Sequence, residues 1–93
     1  MPRVELSAQA RLDVFAIYAA IEAEAGSARA NAYIGRVERR LSILAEFQLA
    51  GAAAAWIGPG IRSLAFERRI TIAYLPGLDS VQVPRVLCVT HTT

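Results

Sequence analysis

The residues of most distinctive chemistry in this sequence are one histidine, His91, one cysteine, Cys88, and ten arginines with no lysine. Cys88 and His91 are three residues apart, and on a strand that spacing sends them to opposite faces, so they form no nucleophile–base pair. Cys88 then reads as a small buried residue. Two metal ligands with no third candidate nearby do not make a zinc site. There is no Gly-x-Gly-x-x-Gly, no Walker loop, no His-Glu-x-x-His and no Cys-x-x-Cys. The expectation is no catalytic residue, no metal and no cofactor.

The remaining chemistry is cationic. Arg62, Arg68, Arg69 and Arg85, with Tyr74 and His91, fall in the second half of the chain. A guanidinium beside an aromatic ring can hold a phosphate and stack on a base, or grip an acidic peptide. Equally, Arg62 and Arg85 could be surface strand residues paired with Glu67 or Asp79. Residues 1–46 carry six arginines and six acids, whereas residues 47–93 carry four and two, so the whole net charge of +2 lies in the second half. That asymmetry is too mild for a nucleic-acid stripe, and direct sequence-specific DNA binding is not expected.

These residues must be positioned by one domain spanning 1–93, since the length suits one core and not two. A chain 55% hydrophobic and 19% charged is not disordered. No apolar run reaches the roughly 18–20 residues of a membrane span. Met1-Pro2-Arg3 does not open onto the apolar stretch of a secretory signal, and a single cysteine makes no internal disulfide, so a cytoplasmic location is expected.

Alternation at 3–6 predicts a short strand, and Ser7 offers an N-cap to a helix from Ala8 to about Ala25. Ala10, Val14, Ile17 and Ile21 make one apolar strip of that helix, and Leu12, Phe15 and Ala19 a second. Two strips need two things to pack against: the sheet, and a second helix or a partner chain. Gly26 can end this helix and Ser27 can cap the next, from about Ala28 to Phe47. The seam of the second helix is Ala30, Ile34, Val37, Leu41 and Leu44, with Arg29, Arg36 and Arg40 together on another side. The short connection demands an antiparallel helical hairpin. Residues 51–60 read as a loop in which Trp56 plugs a gap against the helices. Strands follow at 61–66 and 69–75 around Glu67-Arg68, then a turn at 76–80 and a last strand from Val81 to about Thr90, with Pro84 marking a bulge or an unpaired edge. The predicted fold is α+β, in the order β-α-α-β-β-β: a helical hairpin packed on a small, mostly antiparallel, twisted sheet.

In this order and spacing, Leu6-Ser7, Ala10-x-x-Asp13-Val14-x-x-Ile17, Leu44-Ala45-Glu46-Phe47, Gly58-Pro59-Gly60-Ile61-Arg62-Ser63-Leu64, Ile70-x-Ile72-x-Tyr74 and Val83-x-Arg85-Val86-Leu87 resemble the ParE branch of the RelE/ParE toxin superfamily. Its members are the toxic halves of bacterial toxin–antitoxin pairs, and the likeness covers nearly the whole chain. There are departures. Gln48 and an alanine run replace a usual proline and an arginine-bearing loop. Cys88 stands where the family has histidine, and His91 about where arginine is common.

The resemblance implies a toxin that poisons DNA gyrase by binding and is held inactive, in a hetero-oligomer, by a cognate ParD-like antitoxin of the ribbon-helix-helix type. On that reading Arg62, Arg69, Tyr74, Arg85 and His91 are candidates for the effector surface. Leu12, Phe15 and Ala19, with Arg29, Arg36 and Arg40, are candidates for binding the antitoxin. The alternatives are a RelE-like ribosome-dependent mRNA endonuclease and a non-toxic module that only binds its antitoxin. The endonuclease is disfavoured by Thr71, where such enzymes tend to carry arginine, and by the missing C-terminal basic and tyrosine residues.

Overall fold

The computed structural model describes residues 2–88. The chain begins with β1 (Arg3–Leu6) and turns at Ser7 into α1 (Ala8–Ala25). The Ser7 hydroxyl oxygen accepts the Ala10 N–H at 3.0 Å and satisfies one of the donors that a helix start leaves open. The same hydroxyl donates to the Pro84 carbonyl at 2.8 Å, so the cap also ties the helix start to the sheet.

Gly26, at φ +89°, separates α1 from α2 (Ser27–Glu46). Ser27 is the first residue of α2 rather than its cap: no side chain caps this helix, because Gly26 alone makes the whole connection. The tight reversal forces the antiparallel hairpin. Ala10, Ile17 and Ile21 of α1 and Ala30, Val37, Leu41 and Leu44 of α2 are buried in one core, with Val14 and Ile34 half-buried against it. The α2 seam also contains Tyr33 and Ala45, both buried.

Beyond α2 come β2 (Ala52–Ala53), β3 (Arg62–Phe66), β4 (Ile70–Leu75) and β5 (Ser80–Cys88), and the sheet order is β1-β5-β4-β3-β2. Among the described residues only β1 with β5 is parallel, in the register Arg3 to Ser80 through Leu6 to Val83. The two-residue β2 lies inside the stretch expected to be a loop; Ala52 and Ala53 pair with Ser63 and Arg62. Trp56 does not plug a gap. It is 78% exposed, and the small Ala54 fills the interior instead.

Glu67 and Arg68 both have positive φ, 50° and 60°, and Arg69 N–H returns to the Phe66 carbonyl at 3.1 Å. This is the mirror-image two-residue turn whose twist suits a hairpin, made without the usual glycine. Between the pairs Ala73–Arg85 and Leu75–Gln82, β5 carries one residue more than β4. The resulting bulge contains Pro84, as its missing N–H requires. Ile70, Ile72, Tyr74, Val81, Val83 and Val86 form the sheet's inner face under the helices. Cys88, expected to be buried, is exposed at the end of β5.

Candidate protein-interaction surfaces

Arg62 and Tyr74 are paired across β3 and β4, and both are occupied inside the molecule. Tyr74 is wholly buried. Its hydroxyl donates to the Gln48 carbonyl at 2.7 Å and accepts the Gly51 N–H at 2.8 Å. The Arg62 guanidinium donates to the Leu49 carbonyl at 3.2 Å and, through Nε at 2.9 Å and a terminal nitrogen at 2.5 Å, to the Gly51 carbonyl. The Gln48 amide completes the knot by bonding the Gly77 N–H and carbonyl. The expected place of Tyr74 on an effector surface is therefore corrected. It shares its strand face with Ile70 and Ile72, and a buried phenol needs partners for its hydroxyl.

Arg85 is likewise engaged, and with neither Glu67 nor Asp79. Its guanidinium holds both carboxylate oxygens of Asp13, at 2.8 and 3.1 Å. Asp13 also accepts the Val86 N–H at 2.9 Å, closing a strand-edge donor beyond the end of β1. The Asp13 side chain is only 11% exposed. Its burial pushes the carboxyl pKa up, but the hydrogen bonds from Arg85, Val86 and Gln9 outweigh that and hold it below the ordinary value.

Glu67 pairs instead with Arg36 of α2, through two bonds of 2.7 and 3.0 Å. The Arg36 hydrogen bond lowers the Glu67 pKa. Arg36 and Arg69 approach the Tyr33 ring at 5.3 and 5.7 Å. Arg69 thus sits at the turn end of the β3–β4 hairpin, while Arg62 lies at its other end, so the expected effector arginines are not gathered on one surface. His91 lies outside the described residues.

The antitoxin-binding candidates divide in two. Leu12 and Phe15 are 62% and 70% exposed, and Ala19 beside them is exposed. This strip of α1 remains uncovered because the hairpin and sheet bury only the other strip. Arg29 is exposed and Arg40 half-buried. Sequence reasoning missed a second apolar surface. Leu49 and the 95%-exposed Leu78 line an open hollow of about 540 Å³ with Gln48, Pro76 and Gly77, and Phe47 is exposed nearby in the chain. Leu78 reads as part of a polar turn, and nothing in its spacing marks it.

Among the described residues no three His, Cys, Asp or Glu side chains gather as a metal site would need, and no helix is long and apolar enough to cross a membrane. The described residues form a two-helix, five-strand α+β fold that presents apolar and arginine-bearing surfaces. A solved structure described as "Chromosomal ParDE TA system from P. aeruginosa" has the same fold, with a TM-score of 0.82 and 22% identity over 97% of this chain and 98% of the other. A search of curated proteins gave no match. A family model described as "ParE toxin of type II toxin-antitoxin system, parDE" matches residues 4–93. The chain belongs to the ParE toxin family.

Proposed function

We propose that this chain is the toxin of a type II toxin–antitoxin pair that binds DNA gyrase, traps its cleaved DNA and is neutralised by a cognate ParD-like antitoxin. The family match over residues 4–93 carries this reading. The surfaces support it. A toxin acting by binding needs an accessible face for its antitoxin, and the Leu12–Phe15 strip is an apolar, uncovered helix face. An amphipathic antitoxin segment would lay its apolar side there.

The endonuclease reading gains no support from Arg62, a basic residue of the sheet. Its guanidinium is bound to main-chain carbonyls. The test is induced expression in bacteria with and without the product of an adjacent reading frame carrying a ribbon-helix-helix pattern. Growth arrest relieved by that product is the expected result; unhindered growth without it would leave only a non-toxic binding module.

A further inference from the structure

Between the α1–α2 connection and the β3–β4 turn lies a cleft of about 270 Å³, lined among others by Glu24, Arg29, Tyr33, Arg36, Glu67 and Arg69. It unites residues that the sequence assigns to different surfaces: Arg29 and Arg36 to antitoxin binding, Arg69 to the effector. Arg29, Tyr33 and Arg36 stand at i, i+4 and i+7 of α2, so they share one helix face. The turn built on Glu67 and Arg68 brings Glu67 and Arg69 against it.

The charges of this cleft do not balance internally. Arg36 and Glu67 form a two-bond pair, and Glu67 also lies in the field of Arg69 at longer range. Among the described residues, neither Arg29 nor Arg69 has a carboxylate within ion-pair distance, and Glu24 is the single remaining acid of the lining. Tyr33 is 5% exposed, and its hydroxyl is a buried side-chain polar atom without a hydrogen-bond partner. Unsatisfied buried groups are uncommon in folded proteins and ask for a reason. Arg69 and Arg36 near the Tyr33 ring add cation–π attraction that holds two guanidinium groups beside the opening.

We infer that this cleft is a carboxylate-binding site that takes an acidic side chain from a peptide segment of the antitoxin, with Arg29 and Arg69 as its cationic arms. The inference rests on the toxin–antitoxin reading for the source of the peptide, but the site itself rests on charge and geometry. Arg36 is a positioning residue here, spent on Glu67 and bracing the turn that carries Arg69. A guanidinium recognises a carboxylate through two parallel N–H···O bonds, so an aspartate or glutamate side chain fits the chemistry better than a bulky anion. Glu24 works against such a guest and sets a limit on its affinity.

The test uses the full chain and two fluorescein-labelled peptides, one alternating leucine with glutamate and one alternating leucine with glutamine, read by fluorescence anisotropy at low and moderate salt. The wild-type chain should bind the glutamate peptide at least about tenfold more tightly than the glutamine peptide, in line with one charge-assisted pair. The single variants Arg29→Gln and Arg69→Gln, checked by circular dichroism for an unchanged fold, should each remove most of that preference. Glu24→Gln should tighten glutamate binding severalfold. An unchanged preference in both arginine variants would overturn the site, as would inorganic phosphate competing as well as the glutamate peptide. The peptide experiment does not depend on toxicity. Growth unaffected by expression would therefore sink the toxin reading alone, whereas equal binding of the two peptides would sink the site alone.

Discussion

The Tyr74 hydroxyl lies between the Gln48 carbonyl and the Gly51 N–H, bonding both, while Arg62, its partner across the ladder, grips the Gly51 carbonyl from the other side. One phenol and one guanidinium therefore fasten the segment leaving α2 to the middle of the sheet. That segment lacks regular structure until β2, so its main-chain groups must find side-chain partners.

Tyr74→Phe should destabilise the fold by about 2 kcal/mol, because it leaves a buried N–H and a part-buried carbonyl without their partner. Gly51→Ala should cost about the same or more. A Cβ there would stand 2.5 Å from the Ser63 carbonyl oxygen and 2.7 Å from the Tyr74 hydroxyl, with main chain on one side that cannot yield. Urea denaturation of the two variants checks both values.

Asp13 makes stability depend on pH. Its folded pKa is lowered, so below the ordinary carboxylate pKa of about 4 the unfolded chain takes up a proton before the folded chain does. The stabilisation is present above that pH and is lost as the pH falls toward the folded pKa. Asp13→Asn should lower stability at pH 7, and the gap from wild type should shrink as the pH is taken from 5 to 2. A gap constant over that range would contradict the assignment. Thermal denaturation across the series measures it.

How far these features are legible in the sequence depends on how local they are. Helix lengths, the Gly26 break, the Ser7 cap and the Pro84 bulge all follow from neighbours within a few residues, and all are found in the structure. The partners of the arginines are not local: Arg85 reaches back 72 residues to Asp13, and Glu67 reaches 31 to Arg36. No spacing rule connects such pairs. The inward place of Arg62 and Tyr74 is marked, since they alternate in step with Leu64 and Ile72. Weight given to arginine as a surface residue obscures it. A two-residue strand such as β2 falls below what periodicity can detect.

Tyr33→Phe should stabilise the free protein, by about 1 kcal/mol, since it removes a buried hydroxyl that has no partner. The ring and its contacts with Phe66 and the arginines remain. A loss of stability on this substitution would show that the hydroxyl is satisfied in the free chain. Differential scanning calorimetry gives the comparison.

Phe15→Glu should change stability by no more than about 0.5 kcal/mol, because the side chain is 70% exposed. It should weaken antitoxin binding at least about tenfold by placing a charge in the centre of an apolar contact. Isothermal titration of the antitoxin into wild type and variant separates the two effects. Unchanged affinity would remove the Leu12–Phe15 strip from the interface.

The most direct test of the toxin assignment uses purified chain, purified DNA gyrase and plasmid DNA, with covalent gyrase–DNA complexes counted after denaturation. The expected result is a dose-dependent rise in cleaved complexes that equimolar antitoxin abolishes. No rise in cleaved complexes, together with cleavage of mRNA on translating ribosomes by the same preparation, would contradict it.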